Sequence, residues 1–245
     1  MTVLKVSGSE ARKFLQDLVT NDLGGTSDGL VYAALLTPQG KYIADFLIFE
    51  RDGALFVDVA DSHTAALAQR LSMYKLRADV TIEEAGLAVT RGRGAPPEGA
   101  FADPRHPALG WRGYDGQPGE DVDWDAIRVA HVIPEAGLEL TPDSYILEAG
   151  FERLNGVDFK KGCFVGQEIV ARMKHKTALR KGLVKVAVEG AAEPGTPIVM
   201  ADGREAGTLH TRAGDEAIAF LRFDRAKAEL TAGEARVVPL METAG

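Results

Sequence analysis

The 245-residue sequence predicts an α+β fold from three observations. Helix-periodic segments alternate with hairpin-joined apolar runs up to about residue 90, a Gly- and Pro-rich stretch spans 91–120, and beyond Gly182 only short strand-like runs recur. Ser7-Gly8-Ser9-Glu10 fits a capping box, and Ala11, Phe14, Leu15 and Leu18 follow at helical spacing. A helix is therefore expected over about 9–19, with Thr20-Asn21-Asp22 ending it. Strands at 31–36 and 42–49 are joined by the Pro38-Gln39-Gly40 turn, a hairpin signal. After a second turn at Arg51-Asp52-Gly53 come a strand at 54–59 and a helix carrying Leu67, Leu71 and Tyr74, capped by Asp61 or Ser62. Strands near 80–82 and 87–90 complete this part. Hairpins dominate over crossovers, so the arrangement is expected to be antiparallel or mixed.

Residues 91–120, with Arg91-Gly92-Arg93-Gly94-Ala95-Pro96-Pro97, are expected to pack poorly, as a surface loop or domain junction. A helix is expected to start at Asp121 or Asp123, to include Ile127, Arg128 and His131, and to stop before Pro134. A further helix runs from Gly166 or Gln167 to His175, with Ile169, Val170 and Met173 on its apolar side and Glu168 four residues before Arg172. Apolar runs at 183–188, 197–200, 207–211 and 217–223, with the Asp202-Gly203 turn between them, read as a small barrel-like β module.

Composition narrows the functional classes. A hydrophobic fraction of 45% supplies a core, yet no apolar run approaches the ~18 residues of a membrane helix. Met1-Thr2-Val3-Leu4-Lys5-Val6 lacks the basic and apolar regions of a secretory signal, and a cytoplasmic address is expected. One cysteine forms no intrachain disulfide, and one thiolate does not by itself hold a zinc ion or an iron-sulfur cluster, which take about four ligands. The five histidines are scattered, so no metal site is expected. The net charge of -8 argues against general nucleic-acid binding. Within it lies a basic island: residues 160–185 hold eight Lys or Arg and one acid, Glu168. It is either a solvated face or an anion site.

Cys163 sits inside that island, after Lys160 and Lys161 and just before the helix of residues 167–175. Cations and a helix N-terminus favour a thiolate, and the flanking Gly162 and Gly166 permit close backbone approach. A cysteine that merely filled a core would have no use for these neighbours. The stretch Lys161-Gly162-Cys163-Phe164-Val165-Gly166-Gln167-Glu168, followed by Ala171-Arg172, resembles the signature of the YgfZ family. Ordered but weaker likenesses occur at Phe14-Leu15-Gln16, Thr20-Asn21-Asp22, Leu36-Thr37-Pro38-Gln39-Gly40-Lys41, Asp45-Phe46, Arg128 and Pro134.

The resemblance implies a T-protein-like three-domain ring, related to the aminomethyltransferases, with a ferredoxin-like domain and a C-terminal small β-barrel. The corresponding regions are 1–181 for folate binding, made of 1–45 with 120–181 and a ferredoxin-like 46–119, and 182–245 for the barrel. It also implies tetrahydrofolate or a one-carbon derivative in the central opening. The implied role is to support assembly or repair of iron-sulfur client enzymes, including some that modify tRNA, with Cys163 and Lys161 carrying the chemistry. Asn21 and Asp45 are then expected near the cavity, with Arg128, Lys161, Gln167 and Glu168 lining or supporting it. Structural roles compete with each: Asn21 as a helix cap, Asp45 in a turn, Arg128 as the buried partner of a carboxylate. The alternative function is folate-dependent aminomethyl transfer, with Asp61 or Asp45 steering the amine. A third is a docking module using the basic island. Two positions depart from the family pattern: Val132 stands where glycine is usual, and Pro142-Asp143 where Pro-x-Glu is usual.

Overall fold

A computed structural model describes residues 1–176 and 178–240. Its first layer is built from β1 (Thr2–Ser7), β2 (Val31–Leu36), β3 (Tyr42–Arg51), β4 (Ala54–Val59) and β5 (Thr81–Glu84). These form one antiparallel sheet in the order β2-β3-β4-β1-β5. Every residue of β2 is buried because both faces of the sheet are covered. Val31, Ala33 and Leu35 join a core shared with α1 (Ala11–Leu18) and α2 (Asp61–Lys75), while Tyr32, Ala34 and Leu36 join a second core drawn mainly from residues 109–170. Residue 45 lies inside β3, so 1–45 and 46–84 share this sheet.

Several local expectations are corrected. α1 begins at Ala11, and no side chain caps it. Ser9 and Glu10 bond to the Asp79 loop instead: Ser9 N and Oγ donate to the Asp79 carboxylate, and Asp79 N donates to Glu10. Ala60 is the N-cap of α2, and Asp61 lies in its first turn. The strand expected at 87–90 is displaced to β6 (Thr90–Gly92).

The 91–120 stretch is not a loose loop. β6, β7 (Phe101–Ala102) and β8 (Trp111–Gly113) form a three-stranded sheet in the order β6-β8-β7. Glycine serves packing here: a Cβ on Gly92 would lie 2.3 Å from the Trp111 ring. Tyr114 is 4.4 Å from Phe49 between ring centroids, fastening this sheet to the first.

α3 (Trp124–His131) starts where Asp123 accepts a bond from Ala126 N at 2.9 Å. It ends two residues before Pro134, at Val132, whose backbone is left-handed (φ 51°, ψ 50°). α4 (Gln167–Lys176) follows the cysteine loop. The rest is a closed barrel of β9 (Lys181–Glu189), β10 (Pro197–Met200), β11 (Glu205–Ala213), β12 (Glu216–Arg222), β13 (Leu230–Ala232) and β14 (Ala235–Pro239). Its last two strands escaped the sequence reading, and residues 241–245 of the expected barrel region lie outside the described residues.

A buried carboxylate ties barrel to body. Glu139 pairs with Arg128 of α3 and accepts from Thr211 N and Oγ1 of β11 and from Glu135 N. Removing one partner of such a buried group leaves the other unsatisfied at a cost of about 3–5 kcal/mol. Among the described residues, no helix is long and apolar enough to cross a membrane.

Val132 carries a β-branched side chain in a backbone region that costs L-residues roughly 1–2 kcal/mol. Val132→Gly is expected to raise stability by about 1 kcal/mol, read as a higher urea midpoint at unchanged slope. A lower midpoint would show that packing of the valine outweighs its strain.

Candidate functional site

The cysteine loop is held from both sides. At its end Gly166 takes φ +84°, and a Cβ there would lie 2.7 Å from Thr37 O and 3.0 Å from Gly40 Cα. Gly40, at φ +74°, meets Ile169 of α4 just as closely, so the β2–β3 turn and the loop touch through bare backbone. Gly162 has open space around its Cβ direction and imposes no such contact. At the other end Lys161 is 8% exposed and turns inward, its Nζ donating at 2.5 Å to both Gln16 O and Val19 O at the end of α1. The ammonium thus answers the negative end of a helix. Phe164 packs beneath it, with its ring 5.3 Å from Nζ. Between these anchors Cys163 is exposed, four residues before α4 begins.

The surrounding island is less basic than its sequence. Arg172 pairs with Glu168 at 2.8 Å, Lys174 with Glu152 at 2.5 Å, Lys181 with Glu148 at 3.7 Å and Lys185 with Glu216 at 3.1 Å. Lys160 and Arg180 are exposed and make no ion pair among the described residues, while the Lys176 side chain lies outside them.

A second constellation lies in a cleft between the first sheet and α3. Its walls include Asp45, Asp58, Arg91, Arg105, Arg112, Trp124 and Arg128. Asp45 accepts from Tyr32 Oη at 2.8 Å and Tyr42 Oη at 2.6 Å. Burial, then the Asp45 carboxylate, push both phenols up, so at neutral pH they remain donors and Asp45 the acceptor. Asp58 accepts from Arg112 at 2.7 Å and Tyr114 Oη at 2.9 Å through Oδ2, while its buried Oδ1 has no partner among the described residues. Asp103 lies behind the wall. Burial opposes its ionisation, but Arg105 at 2.6 Å and Arg112 at 3.4 Å hold it well below the usual carboxylate range. Arg91 lies over the Trp124 ring at 4.6 Å.

Of the residues the sequence singled out, Asp45 and Arg128 meet in this cleft, and Arg128 is at the same time the buried partner of Glu139. Asn21, Lys161, Cys163, Gln167 and Glu168 are not among its lining residues. Asn21 is a brace: its Nδ2 donates to Tyr32 O at 2.8 Å and Asn155 O at 2.7 Å. Gln167 is half-buried at the start of α4, and Glu168 is exposed beside Arg172. Asp61 lies elsewhere, accepting from Thr2 Oγ1 at 2.7 Å. Sequence reasoning missed Asp58, Arg91, Arg105, Arg112 and Trp124. Three of these arginines lie in the Gly/Pro-rich stretch, where the aromatic run of Trp111 and Tyr114 was the overlooked sign of packing. Among the described residues, no group of three or more His, Cys, Asp or Glu is placed to hold a metal ion.

Burial pushes the Lys161 ammonium down to about 8, against the pull of Asp22, Asp17 and Asp158. Between there and its ordinary value of 10.5 the unfolded chain binds more protons than the folded one, so this residue's contribution to stability rises with pH across that window. Lys161→Met strips two helix-end carbonyls of their donor and is expected to cost about 1–3 kcal/mol. In urea titrations the gap to the parent protein should widen between pH 8 and 10.5; a constant gap would show that the ammonium does not titrate in that window.

Residues 180–242 match the family model described as the CAF17 C-terminal beta-barrel domain. The mouse "Iron-sulfur cluster assembly factor IBA57, mitochondrial" is 30% identical over 93% of this chain and 77% of its own length. The human protein of the same name is 28% identical over 94% and 77%. A fungal homologue from Phaeosphaeria nodorum is 30% identical over 80% of this chain and 57% of its own. All three are named as mitochondrial proteins, which overturns the cytoplasmic address expected from the sequence. The crystal structure of glycine cleavage system aminomethyltransferase T from Bartonella henselae superimposes with a TM-score of 0.78, covering 98% of this chain and 82% of that one at 12% identity. That likeness shows the fold, in agreement with the expected T-protein-like class.

Proposed function

The chain belongs to the CAF17/IBA57 family of iron-sulfur cluster assembly factors, and from that premise we propose that it acts in cluster assembly by presenting Cys163 as one thiolate to a cluster whose other ligands come from a partner protein. The observation that carries this reading is the exposure of Cys163 on a loop anchored at both ends. A cluster wants about four ligands and this chain has one thiol, so the cluster is shared cargo rather than a resident group. A fixed loop suits that task because the sulfur need not be ordered again at each encounter. The YgfZ-like octapeptide around Cys163 belongs to this reading.

We further propose that the arginine-walled cleft takes a reduced folate. The Oδ1 of Asp58, unpartnered among the described residues, supports it, since a pterin edge carries N–H donors, and the Arg91 guanidinium over Trp124 suits a carboxylate of a glutamate tail. The cleft holds about 70 Å³, roughly five to seven water positions, so a pterin head would enter only as the side chains lining it move apart. Aminomethyl transfer would need Asp45 or Asp61 to act on a bound amine; Asp45 already accepts two phenol hydroxyls, and Asp61 does not line the cleft and pairs with the Met1 ammonium at 2.8 Å. The accessory role is therefore preferred.

In cells lacking their own member of this family, Cys163→Ala is expected to fall to the level of an empty control in restoring an iron-sulfur enzyme. The purified variant should bind tetrahydrofolate as the parent does in calorimetry. Full restoration by the variant would end the shared-thiolate reading. For the cleft, Arg91→Ala is expected to weaken tetrahydrofolate about tenfold, the worth of one charge-assisted contact. Absence of saturable heat with the parent protein would remove folate from it.

A further inference from the structure

We infer that the C-terminal end of α2 is a contact site for an anionic lipid surface, with Leu76 as the side chain that enters it. The site uses no residue of the arginine-walled cleft or of the cysteine loop and stands apart from both proposals above.

α2 gives way to a tight turn in which Ala78 N donates to Lys75 O at 2.8 Å. Leu76 takes the first central position of that turn, with φ 46° and ψ -104°. Those angles belong to the type II′ turn, whose first central residue is ordinarily glycine because a Cβ there crowds the backbone. The side chain gains little from the fold in return, since Leu76 is 87% exposed. A leucine is thus held in a costly backbone conformation with its hydrocarbon in water, and strain of this kind collects where a contact outside the fold makes use of it. Met73, one turn earlier, is 60% exposed, and these two are the most exposed large apolar side chains among the described residues.

Cations surround the pair. Arg70 precedes Met73 by three residues on the same helix face, and Lys75 and Arg77 flank Leu76 in the chain. None of the three makes an ion pair among the described residues. Asp79, which feels the Lys75 charge, and Glu10 lie nearby, but both are engaged: Ser9 N and Oγ donate to Asp79, and Asp79 N donates to Glu10. A helix C-terminus favours a cation in its last turn, which accounts for Lys75 but not for Arg70 or for the bare hydrocarbon.

Positive charge around a protruding apolar tip complements a surface that is negative outside and apolar beneath. A bilayer with anionic headgroups has that profile and yields to a convex tip, whereas a folded protein would need a preformed socket. The net charge of -8 opposes approach by the molecule as a whole, so these unpaired cations favour the orientation in which α2 points its end at the lipid. The contact is peripheral, with two apolar side chains reaching the headgroup boundary.

The test is co-sedimentation of the intact chain with vesicles of phosphatidylcholine and phosphatidylglycerol in equal parts, against vesicles of phosphatidylcholine alone. The parent protein should sediment with the anionic vesicles, be released by salt, and ignore the neutral ones. Leu76→Gly should bind about tenfold more weakly, while its urea midpoint rises because the turn is relieved. Arg70→Gln, Lys75→Gln and Arg77→Gln combined should weaken binding about a hundredfold, at roughly fivefold for each cation. No binding by the parent, equal binding to both kinds of vesicle, or a Leu76→Gly variant that binds like the parent would each overturn the site. A lower urea midpoint for Leu76→Gly would overturn it as well, since the leucine would then serve the fold.

Discussion

Two backbones meet with no side chain between them where Gly166 rests on the turn at Gly40, and the placement of the thiol depends on that contact. Any Cβ at either position would push the loop off the β2–β3 hairpin. The same hairpin carries Asp45 in its second strand. One supersecondary unit thus fixes the sulfur loop by its tip and the acid of the cleft by its body. Lys161 completes the arrangement from inside, converting the unsatisfied end of α1 into an anchor for the residues before Cys163.

The acidic overall charge conceals an interior organised by arginine. Arg112 and Arg128 are each about 4% exposed; Arg112 lies against the buried Asp58 and Asp103, and Arg128 against the buried Glu139 and the exposed Asp125 and Glu135. Such pairs contribute little net stability when compared with well-packed apolar residues, but they define geometry, since a displaced partner leaves a charge without compensation. This explains how a segment rich in glycine and proline becomes a wall. Asp58 and Asp103 hold Arg112, and Trp111 fills the space that Gly92 leaves.

Much of the architecture was legible because local and global signals agreed. The apolar run of residues 31–36 and the Pro38-Gln39-Gly40 turn gave the hairpin, and Asp123 gave the start of α3. The cysteine loop was legible through its motif, and the pairing of Glu168 with Arg172 through its four-residue spacing. Tertiary choices were not. Lys161 reads as a neighbour that favours the thiolate, yet its ammonium points away to a helix end. The basic island reads as a patch, yet Glu148, Glu152 and Glu216 lie far enough along the chain, or beyond the island, to escape a local charge count. The ladder of β6 and β8 joins residues about twenty apart and was masked by the turn residues between them.

The Glu139 knot has a bearing on how guests arrive. With its oxygens shared among α3, the 135 turn and β11, the barrel has no low-energy way to swing aside like a jaw. A guest of the arginine-walled cleft would then be admitted by local shifts of side chains and turns, leaving the relation between the two halves of the molecule unchanged.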